Sequence, residues 1–591
     1  MSDFSQNQRV APTKGATTTK ELEFVETMSN SAVDQPHVHA KMNPKLFVAL
    51  LTMSFLWIGS QIPLYLFGSV LPLIYSDLGG VDRYVWFIIG YLIPCAALCP
   101  FVGALSDIFG RKMVAIVGQV LLILGPVVTS TANTMNIAIA GQVFSGLGAG
   151  LNELIALAGT ADLVPVNKRG QYVGAVVLTI LPFCASTLYA QLIARDSDWR
   201  YVGIFVGAWN FLGLVLCIFS YSDPPRISTE YTRSDVMKNV DYIGGILSTV
   251  GVVLFMMGMQ WGAEQYEWQS VQVLVPFLLG VVILVAFFVY EFKFAKYPMC
   301  PAGIFSKDRR TMICILLITF LSGANFFVML LFYPTQVFHV WGHEPVSIGL
   351  RTLPMGFGIV IGAAISLILI PVTRGRIKHL MIFFTAMMTA GTGAMAAART
   401  DNLPAVLGMV TVASLGVGGV IIPCSIIAQL ICPHDLLGTI TAITLSIRYV
   451  GGAIGYTAYY NVFYDHFTPD ATRLVAIGTI VLKGIVNLGS NQENLGLIEE
   501  LTTLAAKAQF AQLHDVIATD SRVNHKDIAF DLIVDATEEA MALAYRWPYW
   551  MSIAFGGICV ILAFFVRDIR AVLDEEKEKV PVEEIHHGAL R

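Results

Sequence analysis

The chain has 591 residues, 55% of them hydrophobic and only 13% charged, with a formal net charge of −5. Soluble domains carry about 25% charged residues, so this composition excludes an ordinary soluble enzyme, and a mean hydropathy of +0.66 points to a chain that crosses a membrane many times. The mild negative charge offers no footprint for nucleic acid.

Residues 1–45 are polar and rich in Ser, Thr, Gln and Asn, which reads as a disordered cytoplasmic tail. The first apolar run begins near Leu46 behind that tail, unlike the layout of a cleavable signal peptide. A helix needs about 20 apolar residues to cross a bilayer. The runs that meet this length are 46–71, 84–104, 113–131, 135–158, 172–194, 201–221, 242–260, 271–290, 311–333, 346–370, 379–398, 404–431, 438–461 and 549–567. The fold class expected is therefore an all-α integral membrane protein, with an even number of spans that puts both termini on one side.

The second and third runs are joined by Gly103-Ala104-Leu105-Ser106-Asp107-Ile108-Phe109-Gly110-Arg111-Lys112, where glycines permit a tight turn and Asp107 with Arg111 and Lys112 places opposite charges at one membrane face. The loops on this side hold Lys168, Arg169, Arg226, Arg233, Lys238, Lys293, Lys296, Lys307, Arg309, Arg310, Arg374, Arg376 and Lys378, whereas the opposite short loops hold Arg83, Arg195, Arg200 and Arg399. By the positive-inside rule the first side is cytoplasmic. Arg374-Gly375-Arg376-Ile377-Lys378 echoes the Gly110 turn. If the two turns correspond, residues 46–221 form one six-helix bundle and 311–567 another. The stretch 222–310 is then a linker carrying two inserted spans, and 568–591 is a second cytoplasmic tail. The segment 462–548 is too long for a simple connection and reads as an external cap. Within it, 475–488 is apolar but short and contains Lys483, so it is expected to lie along the interface; Leu497, Leu501, Leu504 and Ala508 recur at helical spacing.

Charges inside spans are costly and mark function by default. Arg448 falls near the midplane of the thirteenth span, where it either serves transport or pairs structurally with backbone carbonyls. Glu153, in the inner part of the fourth span, either exchanges protons or holds a cytoplasmic gate. Asp107 is expected to cap the next helix and pair across the bundle interface. Gln61, Gln142, Asn210 and Asn325, with Tyr65, Trp209, Phe326, Phe327 and Tyr333, suit a cavity for a large apolar ligand that needs a few hydrogen bonds. His339 and His343 are too few for a metal site, the cysteines show no metal spacing, and no phosphate-binding Walker sequence is present. Gly146-Leu147-Gly148-Ala149-Gly150 lies within a span, where small residues let helices pack closely.

The matches Gly103, Leu105, Asp107, Gly110, Arg111 and Lys112 resemble the signature loop of the major facilitator superfamily. Further stretches are Gly150-Leu151-Asn152-Glu153-Leu154, Asp162-Leu163-Val164-Pro165, Asp198-Trp199-Arg200-Tyr201, Trp261-Gly262-Ala263-Glu264 and Gly438-Thr439-Ile440-Thr441-Ala442 through Arg448-Tyr449-Val450-Gly451-Gly452. With these, residues 46–567 look like the fourteen-span fungal trichothecene efflux pump family, a neighbour of the siderophore-iron transporters. Two departures stand out. Gln142 occupies the place where related drug/proton antiporters often carry Arg, and the fifth span has Pro182 without a Gly-Pro-x-x-Gly-Gly motif. The resemblance implies a major facilitator fold of two six-helix bundles plus two inserted helices. It also implies a secondary-active exporter of a hydrophobic organic compound or toxic secondary metabolite, driven by proton antiport through alternating access. It implies no cofactor, no enzymatic role and a monomer in the lipid bilayer, with the plasma membrane expected ahead of a vacuolar or vesicle membrane. The rivals are a siderophore-iron uptake carrier and a non-transporting membrane receptor.

Overall fold

In the computed structural model, the described residues are 44–80, 83–164, 169–222, 241–264, 266–295, 298–342, 344–373, 375–433, 436–486, 492–506 and 509–569. They fold into helices: α1 (Pro44–Ser69), α2 (Val85–Phe109), α3 (Arg111–Ser130), α4 (Met135–Leu163), α5 (Tyr172–Asp196), α6 (Tyr201–Ser220), α7 (Tyr242–Gly262) and α8 (Val271–Lys293). There follow α9 (Arg309–Val340), α10 (Pro345–Val372), α11 (Ile377–Ala397), α12 (Leu403–Leu430), α13 (Leu437–Val481), α14 (Gln492–Ala506), α15 (Phe510–Thr519) and α16 (Lys526–Phe565). Among the described residues, 14 helices are long and apolar enough to cross a membrane. Lipid explains the uniformity, because every backbone polar group at that depth must be bonded within the segment. Phe211, Phe219, Val282 and Phe292 point outward from the protein, the inverse of a soluble surface.

One packing pattern occurs twice. α4 packs against α1, α2 and α3, while α6 closes on α1 and α3. α12 packs in the same way against α9, α10 and α11, and α16 closes on α9 and α11. The two sets meet along α2–α13 and α5–α10. α7 and α8 pack chiefly on each other, and α7 reaches α2 and α13; Asn461 Nδ2 of α13 donates to the Met259 carbonyl at 2.8 Å.

The turn echo has a conformational basis. Gly110, between α2 and α3, has φ +89°, and Gly375, between α10 and α11, has φ +73°. That left-handed region favours glycine. Each turn is also tied to the last helix of its set or to the segment that follows it. Lys112 Nζ donates to the Ile218 carbonyl at 2.7 Å, and Ile569 N donates to the Gly375 carbonyl at 3.1 Å.

Two helices depart from regularity. α5 passes through a 3₁₀ turn at Leu181–Ala185, with Pro182 near its start, and α9 contains a π-helical turn at Val328–Phe332. Pro removes a donor and breaks the α ladder, and π turns recur at functional sites.

The segment between the last two spans differs from expectation. α13 does not end near residue 461 but runs on through Ala471 into a π-helical stretch, Thr472–Val481. α16 begins at Lys526, and its 40 residues would span roughly 60 Å, against about 30 Å of hydrocarbon. The overhanging ends, with α14 and α15, enclose a separate core of Val475, Ile480, Leu497, Leu501, Leu513, Ile517 and Ile533. Leu497 and Leu501 face that core as their spacing implies; Ala508 lies outside the described residues.

Candidate functional site

α4 and α13 belong to different packing sets, and each brings one charge into the interior. Close approach of α4 to α2 depends on glycine: a Cβ at Gly146 would collide with the Tyr91 backbone, and one at Gly150 would stand 2.9 Å from the Cys95 carbonyl oxygen. One turn further along α4, Glu153 is completely buried. Arg448, roughly 16 Å into α13 at ~1.5 Å per residue, reaches across to it. Arg448 Nη2 donates to Glu153 Oε1 at 2.7 Å. The Tyr449 hydroxyl donates to Glu153 Oε2 at 2.5 Å. Both oxygens of one carboxylate are thus held by consecutive residues of one helix. The Arg448 guanidinium also lies 5.4 Å from the centre of the Tyr449 ring, within cation–π range.

Of the candidate cavity residues, the structure brings two close to this pair. Tyr65, on α1, lies within electrostatic reach of Arg448 and Glu153, and its hydroxyl donates to Gln61 Oε1 at 3.2 Å. Gln61 Nε2 donates to Ser60 Oγ at 3.3 Å. Phe327 is also adjacent, 6.0 Å from the Tyr449 ring, with Phe326 against Phe327 at 4.9 Å.

The others sit elsewhere. Trp209 stacks on Phe55 at 4.4 Å and meets Phe183 edge-on at 5.0 Å; Asn210 donates to Val206 O at 3.0 Å and Gly59 O at 3.4 Å. Both therefore join α6 to α1. Asn325 Oδ1 accepts from the Tyr459 hydroxyl at 2.9 Å, within the second set. The Tyr333 hydroxyl donates to the Arg351 carbonyl at 2.9 Å, bridging α9 to α10. Gln142 is buried three turns from Glu153 on α4, roughly 16 Å away along the axis, and its Nε2 has no partner.

His339 joins helices of both packing sets. His339 Nε2 is hydrogen-bonded with the Tyr75 hydroxyl at 2.8 Å, and Nδ1 with the Tyr545 hydroxyl at 3.0 Å. His339 therefore links the short helix after α1 (Leu71–Leu78) to α9 and α16. Tyr84 meets Tyr460 edge-on at 5.3 Å beside it. These contacts lie on the membrane face opposite the Gly110 turn. His343 lies outside the described residues.

The family model for the fungal trichothecene efflux pump (TRI12) matches residues 23–583. The chain belongs to the fungal trichothecene efflux pump family. MFS-type transporter gkaD of Penicillium citrinum is 28% identical over 534 residues, covering 87% of this chain and 84% of that protein. MFS-type transporter pydD of an Acremonium species is 25% identical over 568 residues, 94% of this chain and 92% of that protein. Multidrug resistance protein 3 of Bacillus subtilis is 27% identical over 74% of this chain and 82% of its own length. Among solved structures, a bacterial homolog to the human lysosomal transporter Spinster, inward-facing and unoccupied, aligns with a TM-score of 0.51 at 12% identity, covering 89% of this chain and 98% of that one. That last likeness concerns the fold, and the fold is that of a major facilitator transporter.

Within this family member, the signature loop is fastened to α4. Arg111 forms an ion pair with Asp162 at the end of α4, and Arg111 Nη1 donates to the Ala158 carbonyl at 3.4 Å. The sequence alone does not mark Asp162 as the partner of Arg111, although it stands just where α4 returns to the Gly110 side. Gly103 is exposed near the end of α2, with open space where a Cβ would be. Asp107 is helical in backbone, and its side chain lies outside the described residues. Tyr449 was also missed; the available signal was a tyrosine next to an intramembrane arginine.

Proposed function

We propose that this transporter exports a hydrophobic organic compound in exchange for protons, with Glu153 as the proton-carrying group and Arg448 as its counter-charge. The single observation that supports this reading is the Arg448–Glu153 ion pair, buried between helices of opposite packing sets. Charged residues at the bilayer centre cost about 2.5–3.5 kcal/mol each on insertion scales, and an apolar pair of similar volume would serve stability as well or better. While Glu153 is ionised, the pair ties α4 to α13. A proton on Glu153 cancels the attraction and turns the acid O–H into a donor facing two donors, so the tie loosens. Rocking of one bundle against the other around a central site then follows the protonation state of one residue. Tyr65, Gln61, Phe326 and Phe327 supply apolar surface with a few polar atoms beside the pair. The Gly110 turn, with Arg111 held to Asp162, acts as a gate on the cytoplasmic face, and both termini lie in the cytoplasm. The plasma membrane suits an exporter.

The test of direction uses a deletion strain, complemented with the parent or Glu153→Gln and challenged with the organism's own secondary metabolites and, separately, with siderophore-bound iron as sole iron source. Export predicts metabolite sensitivity rescued by the parent alone. Rescue of iron-limited growth without any effect on metabolite sensitivity would replace export with uptake.

A further inference from the structure

Arg448 has more to offer than Glu153 uses. A guanidinium carries five N–H donors in a planar fork suited to paired acceptor oxygens. Only Nη2 is spent on Glu153. Tyr449 and Tyr65 also lie near the Arg448 side chain. Nε and Nη1 are not among the buried atoms lacking a partner. Arg448 keeps 11% of its side-chain surface accessible, whereas Glu153 keeps none. The carboxylate is sealed behind the guanidinium, and part of the guanidinium faces open space.

We infer that the open side of Arg448 is a subsite for an acidic oxygen group on the cargo, so that the exported compound is an organic anion with an apolar, ring-bearing skeleton. This rests on the proposed export reading and deepens it. The rings of Tyr449 and Phe327, with Tyr65 from the opposite set, supply flat apolar surface around that corner. Nη2 stays with Glu153 while the open donors of the same fork take the cargo's oxygens, so cargo binding does not require a proton on Glu153.

The experiment uses the full-length transporter in lipid nanodiscs and two fluorescent probes with one skeleton. The first is 8-anilinonaphthalene-1-sulfonate and the second is the uncharged N-phenyl-1-naphthylamine; binding is read by energy transfer from tryptophan, with empty nanodiscs subtracted. The parent should bind the sulfonate at least about tenfold more tightly than the neutral probe, the scale of one charge-assisted hydrogen bond. Arg448→Gln should bring the two within about twofold, while Arg448→Lys, which keeps the charge but not the fork, should retain part of the preference. Glu153→Gln leaves the Arg448 fork in place and should keep the preference. Equal affinities in the parent, no saturable binding of either probe, or a preference that survives Arg448→Gln overturns the subsite. A preference that behaves as stated, in a parent whose export ignores the proton gradient, would instead sink proton coupling and leave the subsite standing.

Discussion

Removing Arg448 alone should destabilise the protein far more than removing both members of the pair, and both changes should abolish transport. At 2.7 Å and an effective dielectric of about 20, two unit charges attract by about 6 kcal/mol. Taking both out of water costs several kcal/mol per ion, so the net worth of the intact pair is small. Arg448→Leu leaves Glu153 buried without this counter-charge and, among the described residues, with Oε2 bonded to Tyr449 alone. Breaking a buried pair in this way costs about 3–5 kcal/mol. Arg448→Leu combined with Glu153→Leu removes both desolvation penalties and should recover most of that loss. The assay is thermal denaturation of detergent-solubilised protein, followed by size-exclusion fluorescence, beside efflux corrected for membrane abundance. The single variant should melt well below the parent, the double variant close to it, and neither should transport. Transport by the double variant would show that the pair is structural. A single variant as stable as the parent would show that Glu153 is not sealed from water.

Tyr449→Phe removes one donor from Glu153 and leaves the ring in place, so abundance should hold while efflux falls by about tenfold, as expected for a hydrogen bond to a charged group. His339→Ala or Tyr75→Phe cuts the link between the packing sets on the face opposite the Gly110 turn. Cysteines introduced near Tyr84 should then react faster with impermeant thiol reagents, and unchanged labelling would mean that the link does not hold that face closed. Outside the membrane spans, Arg522 holds the Asp520 carboxyl down to about 2, below its ordinary 3.8. Its contribution is complete above 3.8 and lost as pH falls through about 2, so the stability difference between the parent and Asp520→Asn should stay constant from pH 8 to about 4 and vanish near 2. A difference that fades between pH 7 and 5 would assign it to another group.

The spans were legible because lipid leaves so little freedom: a long apolar run with no partner for its backbone becomes a helix. The turn echo was legible because Gly110 and Gly375 answer the same need for positive φ. The ends of α13 and α16 were not, because these helices continue past the apolar zone and acquire polar faces, with Asp465, His466 and Asp470 on one and Glu538 and Glu539 on the other. There a hydropathy reading stops although the helix does not. Arg448 and Glu153 could each be singled out by the cost of burying charge. Their pairing spans 295 positions of sequence and depends on how α4 and α13 face each other, which no local pattern encodes. Trp209 and Asn210 have the residue types of a cavity wall but serve the α1–α6 contact, since an intramembrane polar group is also useful wherever two helices need a hydrogen bond.

The central claim is that protonation of Glu153 drives export, and coupled flux in proteoliposomes tests it most directly. With a pH gradient imposed and 8-anilinonaphthalene-1-sulfonate as cargo, the parent should concentrate the dye against its gradient while a trapped pH indicator reports proton movement in the opposite sense. Glu153→Gln should still exchange dye for dye but show neither uphill accumulation nor dye-dependent proton flux. Uphill accumulation that persists in Glu153→Gln, with its proton flux intact, would contradict the account.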